Sequence, residues 1–141
     1  MWIVFALAAA LMAGVSVVLS KAGLKNVDST LAFAVQSVRI FAVSWIATFW
    51  QKNAAGIAEI NQRAWLFLIA AGVATALSSL LTFRALKLGE AGLVSSLERS
   101  SLVFAIAFGA LFLQEQLNWK IILGAALIVG GAILIGMSRE G

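Results

Sequence analysis

The sequence predicts an all-α integral membrane protein of five transmembrane helices, and three observations carry that prediction. Of 141 residues, 62% are apolar and 11% are charged, against about 25% charged in an ordinary soluble domain. A soluble core of this size could not bury so much apolar surface, which leaves the bilayer as the solvent. The apolar residues fall into five stretches of about 20, the length a helix needs to cross roughly 30 Å of hydrocarbon. Proline is absent, so no stretch is broken by that residue.

The first stretch, Met1 to Ser20, carries no charged side chain. It has no Lys or Arg ahead of it and is longer than a signal-peptide apolar region, so an uncleaved span is expected. Lys21, Lys25 and Asp28 form a short connection, and Leu31 to Trp50 is interrupted only by Arg39. Gln51 to Arg63 is the longest connector. Ala64 to Phe83 is again free of charge, and Arg84, Lys87 and Glu90 follow as the third connection. Gly92 to Leu113 is apolar apart from Glu98 and Arg99, and residues 118–137 complete the set. The expected helices are thus about 1–20, 31–50, 64–83, 92–113 and 118–137. They leave no room for a soluble domain, so residues 1–141 are read as one domain.

Trp2, Trp50, Trp65 and Trp119 fall at the ends of these spans, where indole rings anchor at the membrane interface. Small residues recur every four positions, as in Ala6/Ala10/Gly14, Gly72/Ala76 and Ala126/Gly130, a spacing that lets helix backbones approach closely. Without proline, hinges for any rocking motion are expected at glycines such as Gly14, Gly72 or Gly109.

Cys and His are both absent. Disulfides, thiol nucleophiles, zinc sites and an imidazole base or proton relay are therefore excluded, and neither enzymatic activity nor a cofactor is expected. The net charge of +4 is scattered along the chain and forms no nucleic-acid footprint. Lys and Arg on alternate sides number five (Lys21, Lys25, Arg84, Lys87, Arg139) against three (Lys52, Arg63, Lys120). By the positive-inside rule the majority side is cytoplasmic, which places the N-terminus outside and the C-terminus inside a plasma (inner) membrane. So small a difference also fits a chain that inserts both ways.

The interior polar residues hold whatever chemistry exists, because ionisable groups at membrane depth seldom face lipid. Arg39 lies about 12 Å along the second span and Glu98 about 9 Å along the fourth. Both spans start from the same side, so an ion pair between them is geometrically open. Gln36 stands one turn before Arg39, and Ser95, Ser96, Ser100 and Ser101 surround Glu98 and Arg99. Ser37, Ser44 and Thr48 share a neighbouring stripe of the second span. One use of the charges is to neutralise one another and fix helix register; the other is to line a solute path. Any single hydroxyl is expected to bond a neighbouring helix or the carbonyl a turn back. Taken together, Gln36, Arg39, Ser95, Ser96, Glu98 and Arg99 mark two wet helix faces and a polar cavity.

The run Phe83 to Ala91 (FRALKLGEA), then Leu93-Val94-Ser95-Ser96-Leu97, Leu111-Phe112-Leu113-Gln114-Glu115-Gln116-Leu117 and the glycine-spaced Gly124 to Gly136 resembles the EamA domain of the drug/metabolite transporter superfamily. Ser20 to Asp28 agrees as well, and the likeness, which covers the whole chain, is to the short single-domain branch. Two positions depart from the family pattern: Ser96 stands where a proline is common, and Gln114 where a glycine often precedes the helix-end glutamate, here Glu115. The resemblance implies a solute transporter, usually an exporter of metabolites or toxic compounds by alternating access. It also implies one five-helix half that needs a second copy or a related chain, in parallel or antiparallel orientation. The alternative is a non-transporting membrane subunit that stabilises or regulates a partner.

If Arg39 and Glu98 are counter-charges, removing either leaves the other unmatched at depth, and removing both is milder than the sum. In a cycle of Arg39→Gln, Glu98→Gln and the double variant, the coupling read by detergent unfolding should exceed about 0.5 kcal/mol. Additive losses would show that the two do not interact and would leave Arg99 as the alternative partner of Glu98.

Overall fold

The computed structural model describes residues 1–138; Arg139 and Glu140, which enter the charge reading above, lie outside the described residues. Among the described residues the chain is helical and has no strand. It runs α1 (Trp2–Gly23), a 3-10 turn (Leu24–Asn26), α2 (Ser29–Trp50), a longer 3-10 segment (Ala54–Glu59), α3 (Gln62–Leu88), α4 (Ala91–Glu98), α5 (Ser101–Phe112) and α6 (Trp119–Met137). Five helical passages are long and apolar enough to cross a membrane, α4 and α5 together forming the fourth. The residues group into two compact units, Leu19–Lys87 in one, and Met1–Val18 with the chain from Leu88 onward in the other.

Two helices start as their sequences dictate. Asp28 takes the extended conformation before α2, and its carboxylate accepts the N–H groups of Thr30 at 2.9 Å and Leu31 at 3.3 Å. These bonds satisfy two donors that have no intrahelical partner. They also hold the Asp28 carboxyl below its usual range, with Lys87 adding a smaller electrostatic contribution. A depressed folded-state pKa contributes stability above the unfolded value, and that contribution is lost as pH falls through the folded one. Asn118 caps α6 the same way, accepting from the Lys120 N–H at 3.4 Å.

The helix ends differ from expectation. Arg84 and Lys87, placed in a connection by the apolar pattern, lie inside α3, which continues to Leu88. The segment Ala85-Leu86-Lys87-Leu88 consists of good helix formers, and the first breaker is Gly89. Likewise α1 runs through Lys21 to Gly23. A charged residue ends an apolar run without ending a helix.

In the Leu19–Lys87 unit these extended ends meet. The Lys21 ammonium donates to the Leu86 carbonyl, and Lys87 donates to the Val27 carbonyl at 2.9 Å. The Leu86 carbonyl lies in the last turn of α3, where no intrahelical donor remains, and a cation there also suits the helix dipole. Leu24, Ser29, Phe83 and Leu86 are buried around this junction, and Phe33 meets Phe83 edge-on at 5.6 Å between ring centres. Two lysines thus tie the α1–α2 corner to the end of α3 in opposite directions.

The end of α2 is closed by a Schellman motif: Asn53 N–H reaches Thr48 O at 3.2 Å and Lys52 N–H reaches Phe49 O at 3.1 Å. Lys52 therefore sits at φ 55. Gln114, just past α5, has φ 53, and the following Glu115 N–H returns to Gly109 O at 3.3 Å. The left-handed backbone explains why glycine suits position 114, where this chain has a side chain instead.

In the unit that contains the chain from Leu88 onward, α6 packs on α4 and α5. Ala125 and Ala132 of α6 are buried, and a Cβ on Gly136 would lie 3.9 Å from Leu97 Cδ2. The close-packed stripe is therefore Ala125/Ala132/Gly136, one residue out of register with the expected Ala126/Gly130, both of which are exposed. One residue is about 100° around the helix, and α6 is apolar on every side, so its sequence alone does not choose the face.

Lys21→Gln and Lys87→Gln should each lower stability by about 1 kcal/mol in SDS unfolding, with Lys25→Gln nearly silent. Equal losses at all three would mean that general charge, and not the two carbonyl bonds, holds the corner. Gln114→Gly should raise stability by about 0.5–1 kcal/mol, because relief of left-handed strain exceeds the added chain entropy. A loss on that substitution would show that the Gln114 side chain makes contacts worth more than the strain.

Candidate solute-pathway residues

Gln36 and Arg39 are both on α2, in the Leu19–Lys87 unit. Gln36 is half-buried, and its amide oxygen accepts the Ser20 hydroxyl of α1 at 3.2 Å. Sequence reasoning gave Ser20 no role, since one serine at a span end carries no distinctive signal. Arg39 stands three residues further on and is exposed. It lies ten residues past Ser29, about 15 Å along a helix of 22 residues, and so near its middle.

The stripe Ser37, Ser44 and Thr48 uses its hydroxyls locally. Ser37 donates to Ala34 O at 2.8 Å, Ser44 to Phe41 O at 2.9 Å and Thr48 to Ser44 O at 2.9 Å. Each bond turns back on its own helix, which removes the hydroxyl as a donor to any solute.

Ser95, Ser96, Glu98 and Arg99 are in the unit with the chain from Leu88 onward. Ser95, Ser96 and Glu98 are half-buried, and Arg99 is exposed. The Ser96 hydroxyl donates to Gly92 O at 2.6 Å and Leu93 O at 3.1 Å. Among the described residues, Glu98 is the carboxylate that falls within a candidate span, since Asp28, Glu59, Glu90 and Glu115 lie outside all five.

The expected continuous helix over 92–113 is interrupted just where its charges stand. Arg99 N–H is shared between Ser95 O at 3.3 Å and Ser96 O at 3.2 Å. Ser100 N–H then reaches only to Leu97 O at 3.0 Å, Leu102 to Arg99 O at 3.0 Å and Val103 to Ser100 O at 3.1 Å. The ladder has tightened from i−4 to i−3, a 3-10 turn of the kind found at helix interruptions. The Ser100-Ser101 pair is the available sequence cause, because serine side chains compete for backbone bonds and kinks favour such pairs. The chain runs on as helix through Gly14 and Gly72, where glycine hinges were expected.

Gly109, the third expected hinge, is buried in α5. A Cβ there would meet the Glu115 Oε2 at 2.9 Å. Glu115, just past α5, thus folds its carboxylate back over the end of that helix.

The EamA-like transporter family matches the chain over residues 1–137. A protein of Sinorhizobium sp, named an uncharacterized transporter in the cobO 3' region, is 40% identical over 142 aligned positions, which cover 96% of each chain. No solved structure matches. The match extends from α1 to the end of α6, so all five spans and every candidate pathway residue lie inside it, and the chain belongs to the EamA-like transporter family.

Proposed function

We propose that the protein is a small-solute transporter that works by alternating access as a dimer of five-helix halves and exports metabolites or toxic compounds. Membership of a transporter family over nearly the whole chain carries this reading. In it, Gln36, Arg39, Ser95, Ser96, Glu98 and Arg99 contribute to the solute path. Charged groups inside a span are costly in lipid and are kept where they serve a path or a partner. The 3-10 turn beside Glu98 and Arg99 adds a place where the fourth passage can bend without proline. A single half requires a second copy, or a related chain, to complete a two-repeat transporter.

For orientation, Lys21, Lys25, Arg84 and Lys87 lie at one end of the Leu19–Lys87 unit, drawn together by the Lys21–Leu86 and Lys87–Val27 bonds. That end is read as cytoplasmic, with the N-terminus outside. The small Lys/Arg bias supports a population in both orientations and an antiparallel homodimer in the plasma (inner) membrane. Because the chain has no cysteine, single cysteines at Asn53 and Ser138 report sidedness directly. Each should label from both faces of the membrane in a population of cells. Complete one-sided labelling would replace the inverted homodimer by a parallel oligomer or another partner.

The decisive assay is flux of labelled cationic and neutral solutes through the purified chain in proteoliposomes. Uptake by the chain alone is expected; its absence, with uptake restored by a related chain, would favour the non-transporting subunit. If a proton gradient drives uptake, Glu98 is the proton carrier, since neither His nor another carboxylate within a span is available among the described residues. Glu98→Gln should then abolish the pH response, a loss of tenfold or more in accumulation for about one unit of gradient, while downhill exchange persists. Gradient-driven accumulation undiminished in the variant would eliminate Glu98 as the carrier.

A further inference from the structure

At the end of the Leu19–Lys87 unit opposite the lysine junction, Ser44, Trp45, Thr48, Ile57, Ile60 and Trp65 line a cleft of about 240 Å³. It is built from the last two turns of α2, the 3-10 segment Ala54–Glu59 and the first turn of α3. We propose that this cleft seats one acyl chain of an anionic phospholipid at the membrane interface.

Trp50 ends α2 and is largely exposed, as an interfacial anchor should be. Ser44, the deepest residue of the lining, lies six residues before it, about 9 Å along the helix axis. The cleft therefore runs from headgroup level into the upper acyl region.

Four of the six lining side chains are Ile or Trp, and the two hydroxyls already donate to their own helix at Phe41 O and Ser44 O. A water molecule needs two to four polar partners to stay in a cavity, so the interior favours an alkyl occupant. A volume of about 240 Å³ is below the 300–1,000 Å³ of sites that enclose a drug-sized molecule, which suits a stretch of one chain.

The cleft mouth is flanked in sequence by Lys52, four residues past Thr48, and by Arg63, two before Trp65, with Glu59 as the one acidic residue between them. The net positive rim favours an anionic over a zwitterionic headgroup. The Schellman motif fixes the backbone of Lys52 just past the end of α2, four residues from Thr48 of the lining.

The test uses the intrinsic indoles. A variant with Trp2, Trp50 and Trp119 changed to Phe keeps only Trp45 and Trp65, and is placed in nanodiscs containing acyl-brominated phosphatidylglycerol or, at equal mole fraction, acyl-brominated phosphatidylcholine. Brominated phosphatidylglycerol should quench roughly twofold more strongly. That excess should vanish in Lys52→Gln/Arg63→Gln, whose changes are on the exposed rim and leave the lining intact. Ser44→Phe, which fills the cleft, should lower quenching by both lipids. Equal quenching by the two lipids in the parent variant would overturn the anionic preference. Quenching unchanged by Ser44→Phe, in protein shown to be folded by circular dichroism, would overturn the cleft as the seat.

Discussion

A polypeptide in hydrocarbon must satisfy its backbone internally, and the helix does so everywhere except in its first and last turns. In this chain several polar side chains act at those turns. Asp28 and Asn118 accept the first N–H groups of α2 and α6. Lys21 donates to the Leu86 carbonyl in the last turn of α3, and Lys87 reciprocates at the α1–α2 corner. Glu115 covers the end of α5. The sparse charge of the molecule is thereby concentrated at the rims of the spans, and Arg39, Glu98 and Arg99 stand apart as charges set inside helical passages.

That division explains what could be read from the residues. Span lengths follow from hydrocarbon thickness, and tryptophans mark the ends, so the five passages and Trp2, Trp50, Trp65 and Trp119 as boundary residues are legible. So is the likeness of the sequence to the EamA family. Less legible is anything that depends on which side of a helix meets another. A water-soluble helix announces its packed face by contrast with a polar one, whereas α6 is apolar all round and presents either Ala126/Gly130 or Ala125/Ala132/Gly136 with equal plausibility. The packing partner decides, and it is Leu97 of α4 that approaches Gly136.

The interruption of the fourth passage was hidden for a related reason. Apolar count and proline content both argue for continuity, and neither registers a change from i−4 to i−3 bonding. Only the Ser100-Ser101 pair bears on it. The roles of Lys21 and Lys87 are equally concealed: as sequence they are a topology signal, and their bonds to Leu86 and Val27 join residues 65 and 60 positions apart. Of the candidate pathway residues, Gln36 gains a partner in Ser20, Ser96 is held by its own helix, and Arg39 and Arg99 are exposed in their respective units.

The turn at Arg99 and Ser100 divides the fourth passage unequally in electrical character. Glu98 closes α4 and Arg99 lies in the turn, whereas α5, Ser101–Phe112, contains no ionisable residue and presents the ladder Phe104, Phe108 and Phe112. Moving one elementary charge through the membrane potential involves about 2.3 kcal/mol per 100 mV. A swing of α5 about the turn would carry only the Glu115 carboxylate at its end, outside the spans, and would be nearly insensitive to voltage, while a displacement of α4 would move Glu98 through the field. Voltage dependence of a conformational step would therefore report which of the two segments moves.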